Sequence, residues 1–220
     1  MIEPTLVDLS HVIEHGMTTY PGLPGPDITD HLSREDSRRT YAPGTEFQIG
    51  RVTLVANTGT YVDAPFHRFE HGMDLSEMPL HRFVNLPGTL VPATGGARAI
   101  GPEAFAGHPI KGRAVLVHTG WDRHWGTQAY GDPTHPYLTA DAVKWLVAQE
   151  VALVGIDSVN IDDVADRTRP AHTGLLAAGV PVVEHLTGLE RLAGRPFVFH
   201  AAPPAIRGMG TFTVRAYAVV

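Results

Sequence analysis

The chain has no cysteine among its 220 residues, which excludes disulfides and thiolate ligands and leaves any metal to imidazole, carboxylate, amide or phenol donors. It has no run of 18 apolar residues, so no membrane span is expected. Positive charge is also scarce: 17 Lys and Arg, spread along the chain, stand against 23 Asp and Glu, for a net charge of −6. That balance argues against a nucleic-acid surface. The opening MIEPTLVDLS has neither a basic nor a long apolar region, so no secretory signal is expected and a cytoplasmic location fits. Repeats, low-complexity tracts and linkers are missing too. What is present is 43% hydrophobic content, enough for one sizeable core, and one domain over 1–220 is expected. Thirteen histidines are a high count.

Periodicity gives mostly short strands and two or three helices. Residues 6–13 alternate weakly and read as a strand. Residues 27–44 are polar, charged and poorly periodic, which suits a long exposed loop or lid. Residues 47–55 alternate as a strand, and 88–92 form another candidate. The apolar runs 113–119 and 151–157 read as buried strands on either side of a helix over 140–149, which Thr139 would cap. That order predicts a parallel, right-handed crossover. Further expected elements are a short helix at 174–178, strands at 180–184, 196–200 and 211–219, and a helical turn at 188–192. The fold class expected is mixed α/β with a large β component.

Chemistry concentrates in two segments. Asn57-Thr58-Gly59-Thr60-Tyr61-Val62-Asp63-Ala64-Pro65-Phe66-His67 sets a phenol, a carboxylate and an imidazole at short spacing. One turn can aim Asp63 and His67 at the same small volume, and the intervening proline limits the backbone. Read in isolation, the motif is better explained by Asp63 capping a turn and His67 being a partly buried polar residue. The second segment is Ala171-His172-Thr173-Gly174, followed by Glu184 within the apolar run 180–186. An ionised carboxylate in such a strand is costly without a compensating cation or donors. Pairing with Arg207 is one alternative, and an exposed strand end is another. Together the segments offer one Asp, two His and one Glu, donor types suited to zinc or manganese.

The chain resembles the bacterial kynurenine formamidase and cyclase family, which includes isatin hydrolase, over nearly its whole length. The similar pieces are Asp8-Leu9-Ser10-His11 through Tyr20-Pro21-Gly22, Thr119-Gly120-Trp121, Val154-Gly155-Ile156-Asp157-Ser158, the 179–189 segment and Ile206-Arg207-Gly208. The family signature is H-x-G-T-H-x-D-x-P-x-H with a distant metal-binding His and Glu. The resemblance implies Asp63 as a shared metal carboxylate, His67 as the proton-transfer residue, and His172 and Glu184 as the downstream ligands. Asn57 and Tyr61 stand where the signature has histidines, so that metal subsite is degenerate here. Amide oxygen and neutral phenol are poorer ligands than imidazole.

The resemblance further implies a barrel-like mixed β core with a few flanking helices, a small-molecule substrate and a homodimer or homotetramer. The mechanism expected has one divalent metal, zinc or manganese, held by Asp63, His172 and Glu184. His67 would serve as acid and base, and Tyr61 as a donor to a developing oxyanion. A metal-free site is the alternative. Tyr20, Trp121 and Arg207 are the candidate substrate-binding residues. His118, His124, His135, His185 and His200 read as scattered polar or surface histidines. Hydrolysis of a small cyclic or formylated amide is the activity expected. Its rivals are a cyclase or lyase of secondary metabolism and a non-catalytic small-molecule-binding protein.

Overall fold

In the computed structural model, residues 5–220 are described. The first four residues, part of the segment read above as lacking a secretory signal, lie outside them. The elements in chain order are β1 Leu6–Asp8, β2 Asp27–Leu32, α1 Arg34–Ser37, β3 Ile49–Thr53, β4 Tyr61–Asp63, β5 Leu86–Pro92, β6 Ala99–Ile100 and β7 Ala114–His118. They continue with β8 Tyr137–Leu138, α2 Ala140–Ala148, β9 Leu153–Ile156, α3 Pro170–Ala177, β10 Val182–Glu184, β11 Val198–His200, β12 Thr211–Thr213 and β13 Tyr217–Val219.

Nine strands form one mixed sheet in the order β1-β13-β11-β5-β7-β9-β10-β4-β12. Its centre, β5-β7-β9-β10, is parallel, and both flanks are antiparallel. A parallel crossover is present as expected: β7 and β9 pair in parallel, and the chain between them runs through β8 and α2. Strands β12 and β13 lie near opposite ends of the sheet, yet only residues 214–216 join them. A link that short spans roughly 14 Å at most, so the sheet must curl into a half-barrel. Backbone bonds from Leu9 to Ala216 (2.9 Å), from Val214 to Thr60 (2.9 Å) and from Thr187 to Leu9 (3.1 Å) hold the two edges together.

Alternation along β7 explains the two cores. Ala114 and Leu116 face the interior of the curl with Val62, Val183 and Phe199, while Val115 and Val117 face outward under α2 and α3 with Leu146 and Leu175. A strand buried on both faces needs the continuous apolar run the sequence shows. Thr139 does cap α2, accepting from Ala142 N at 3.2 Å.

Several boundaries differ from expectation. Residues 27–44 are not a plain loop: β2 and α1 occupy most of them, and β2 pairs with β3 as a separate antiparallel ribbon. The weak periodicity of 27–44 arises because neither face of this ribbon is packed in the core. The opening strand stops at Asp8, whose Oδ1 accepts from Ser10 N at 3.2 Å and turns the chain. The final strand is interrupted at 214–216 for the closure just described. Helix α3 starts at Pro170 rather than at 174, because a distant carboxylate caps it.

Candidate active site

Strand β4 puts Tyr61 and Asp63 on one face, since residues two apart on a strand point the same way. Both are buried. A 3-10 turn at Pro65–His67, with the proline at its start, then folds His67 back over Asp63. From the neighbouring β12, Thr211 sits opposite Asp63 in register. Its hydroxyl donates to Asp63 Oδ1. Having given its proton away, the Thr211 oxygen accepts from His67 Nδ1 at 2.7 Å. In the neutral tautomer this bond selects, the proton is on Nδ1 and Nε2 is the free acceptor, on a side chain 35% exposed.

Asp63 Oδ2 is buried and has no hydrogen-bond partner among the described residues. His172 Nε2 lies 3.5 Å from it and 3.7 Å from Glu184 Oε1. The ring of His172 is aimed there by Asp162, which accepts from Ala171 N at 2.5 Å, His172 N at 3.1 Å and His172 Nδ1 at 2.6 Å. One carboxylate thus caps α3 and fixes an imidazole, the arrangement that orients metal-bound histidines. Glu184 ends β10, paired in register with Tyr61. Its Oε1 accepts from Ile161 N at 2.6 Å and its Oε2 from the Tyr61 hydroxyl at 2.6 Å.

Electrostatics follow from this crowding. Burial by itself would strip the proton from His172, but Glu184, Asp162 and Asp63 prevail and hold its pKa well above the ordinary 6.5. Burial likewise favours neutral Glu184, and the facing His172 overrides it and keeps the carboxyl below its usual range. Burial, then Glu184 and Asp63, push the Tyr61 phenol well above 10.0. A proton on His172 Nε2 therefore occupies the position that a divalent cation would compete for. The orphaned Asp63 oxygen, the oriented imidazole and the flanking carboxylate suit such an ion.

Donor atoms of Asp63, His67 and His172 all lie within 4.8 Å of one another. That trio includes His67 where the resemblance implied Glu184. Asn57, half-buried, lies beside the Tyr61 hydroxyl. Arg207 is exposed and forms no ion pair with Glu184 among the described residues, so Tyr61, Ile161 and His172 fill the role once open to it. A cavity of about 700 Å³ is lined by residues that include His11, Met17, Thr18, Trp125 and Tyr130; Tyr61, Asp63, His67, His172 and Glu184 are not in its wall, and Tyr130 reaches Tyr61 only through His185. Tyr20 and Trp121 are half-buried outside that lining, and Trp121 Nε1 instead donates to the Tyr130 carbonyl at 2.9 Å.

Of the five histidines read as scattered polar or surface residues, His135 and His185 are fully buried. His185 bonds both Tyr61 and Tyr130, and burial pushes its pKa down to about 4. Sequence reasoning also missed Asp162 and Thr211. Asp162 lies ten residues before His172 in no recognisable motif, and Thr211 reaches Asp63 only through strand register.

The chain belongs to the "Putative cyclase" family, which matches residues 7–163. It is therefore an enzyme of that family. Kynurenine formamidase of Bacillus cytotoxicus is 25% identical over 211 residues, covering 96% of this chain and 95% of that protein. Among solved structures, isatin hydrolase A from Labrenzia aggregata, bound to benzyl benzoate, superposes with a TM-score of 0.84 at 24% identity, covering 99% of this chain and 94% of that one. A potential metal-dependent hydrolase with cyclase activity gives 0.79 at 24% identity, covering 98% of each chain. These likenesses establish the curled-sheet fold.

Proposed function

We propose that the protein hydrolyses a small formylated or cyclic amide with the help of one divalent cation, zinc or manganese. The observation that carries this reading is the buried Asp63 Oδ2, which has no hydrogen-bond partner among the described residues and faces, at 3.5 Å, an imidazole held by a second carboxylate. The names of the relatives, kynurenine formamidase and isatin hydrolase, supply the substrate class.

Asp63 and His172 would hold the ion, with Glu184 completing the set through Oε1. When bound, it would polarise the substrate carbonyl and lower the pKa of a nearby water. His67 Nε2, the acceptor nitrogen of the tautomer that Thr211 selects and at the exposed rim, takes a proton from the attacking water and returns it to the leaving amine. Thr211 keeps that ring in the required tautomer by accepting from Nδ1. The cavity walled by Trp125 and Tyr130, joined to Glu184 through His185 and Tyr61, would take the apolar part of the substrate.

A second arrangement is favoured by the 4.8 Å grouping, in which His67 is a ligand instead of Glu184. Metal analysis of purified variants separates the two. About one ion per chain in the wild type, lost in Asp63→Asn, supports the hydrolase reading, and N-formylkynurenine and isatin are the substrates to assay. Retention of the ion in His67→Ala assigns His67 to proton transfer, and its loss assigns His67 to the ion. A wild type without metal and without amidase activity would overturn the proposal and favour a cyclase or a binding protein. A cytoplasmic location and a homodimer or homotetramer belong to the same reading. Ile28, Ile49 and Val52, exposed on the β2–β3 ribbon, support self-association.

A further inference from the structure

Glu184 is the end of a hydrogen-bond chain that runs away from Asp63. Its Oε2 accepts from the Tyr61 hydroxyl at 2.6 Å, Tyr61 lies 3.3 Å from His185 Nε2, and His185 Nδ1 lies 2.7 Å from the Tyr130 hydroxyl. All four side chains are buried. The direction of every bond can be deduced. The Tyr61 hydroxyl donates to Glu184 Oε2, so its one proton is committed there. The Tyr61 oxygen can then only accept from His185, which places the imidazole proton on Nε2. Nδ1 is left bare and accepts from the Tyr130 O–H. Each donor has one acceptor, and no polar atom in the row is orphaned.

The row is also rigidly seated. Trp125 packs edge-on against Tyr130 at 4.9 Å and His185 at 5.8 Å between ring centroids. Thr60, next to Tyr61, donates to the His185 carbonyl at 2.6 Å.

We propose that His185 and Tyr130 are positioning residues: acting through Tyr61, they lock the Glu184 carboxylate so that Oε1 faces His172. This deepens the hydrolase reading and rests on it for the catalytic effect. On the Tyr61 side, protein hydrogen bonds supply the order that an ion or its ligands would otherwise impose. Because Tyr130 lines the cavity, the chain links the cavity wall to the carboxylate at the reacting end.

Two measurements test the proposal. Nitrogen-15 NMR of the imidazoles in the whole protein should place the His185 proton on Nε2 and leave Nδ1 bare, and Tyr130→Phe should weaken that fixed tautomer. A proton on Nδ1 in the wild type would overturn the chain whatever the protein's activity. The second measurement is steady-state kinetics on whichever amide the wild type turns over, alongside manganese affinity by titration calorimetry. His185→Leu should lower kcat or manganese affinity by about 10–100-fold, the size typical of lost outer partners, while KM moves much less. His185→Gln, whose amide can still donate to Tyr61, should recover most of that loss. Tyr130→Phe added to His185→Leu should cost nothing further. Unchanged kcat and manganese affinity in a folded His185→Leu protein, or equal losses in the Leu and Gln variants, would reduce His185 to a packing residue. Absence of amidase activity in the wild type would sink the hydrolase reading while leaving the NMR and manganese tests decisive for the chain.

Discussion

His11 shows how a single side chain can set the acid response of this protein. It stacks flat on Trp125, with ring centroids 3.7 Å apart and planes 4° apart, and its Nε2 is buried with no hydrogen-bond partner among the described residues. Burial, followed by His185, pushes its pKa down from 6.5 to about 4. Between those values the unfolded chain takes up a proton that the folded chain refuses, so stability falls as pH drops from about 6.5 to about 4. His185 acts in the same sense. His172 acts oppositely: its raised pKa contributes stability that is fully present below 6.5 and lost as pH rises through the folded value. His11→Gln should therefore lose less stability than the wild type over that window, read as urea midpoints across the pH series. Parallel curves would show that His11 takes no part. For catalysis, His67→Ala should lower turnover by about 10²–10⁴-fold with an unchanged circular dichroism spectrum, because the ring is partly exposed and packs little. Asp63, His67, His172 and Glu184 were legible as chemistry-bearing residues from type and spacing. The residues that aim them were not: Asp162, Thr211 and His185 act through register and through a helix end, which no local pattern encodes.

Elements carry the next level of constraint. The 3-10 turn at Pro65–His67 is pressed against Gly210, the residue just before β12. A methyl group at Gly210 would overlap the backbone of Phe66 and His67, which cannot swing aside as a side-chain tip could. Gly210→Ala should destabilise the protein by about 1–3 kcal/mol or more and shift His67 away from Asp63. The measurements are thermal unfolding and turnover, and both should suffer. Helix α2 and the apolar strands β7 and β9 were readable because their periodicity and capping agree with their burial. The start of α3 was not, since its cap comes from Asp162, eight residues before Pro170. β2 was missed for a different reason: a ribbon exposed on both faces has no buried side to impress a period of two on the sequence.

At the scale of the whole molecule, the curled sheet and the β2–β3 ribbon should differ in stability. A two-stranded ribbon is marginal in water by itself, and this one exposes Ile28, Ile49 and Val52. Amide hydrogen exchange should be fast over 27–53 and slow in β5, β7, β9 and β10. If copies of the chain associate through the ribbon, its protection should rise with protein concentration. Equal protection in ribbon and sheet at high dilution would contradict this. The half-barrel itself could not be derived from periodicity and came from the resemblance, because closure depends on where β12 and β13 sit in the strand order. The double duty of Asp162 has a practical outcome for engineering. The same carboxylate begins a helix and aims an imidazole, so a library selected only for heat resistance and one selected only for turnover should both leave this position untouched. Whoever transplants the constellation to another scaffold must carry the helix start along with it.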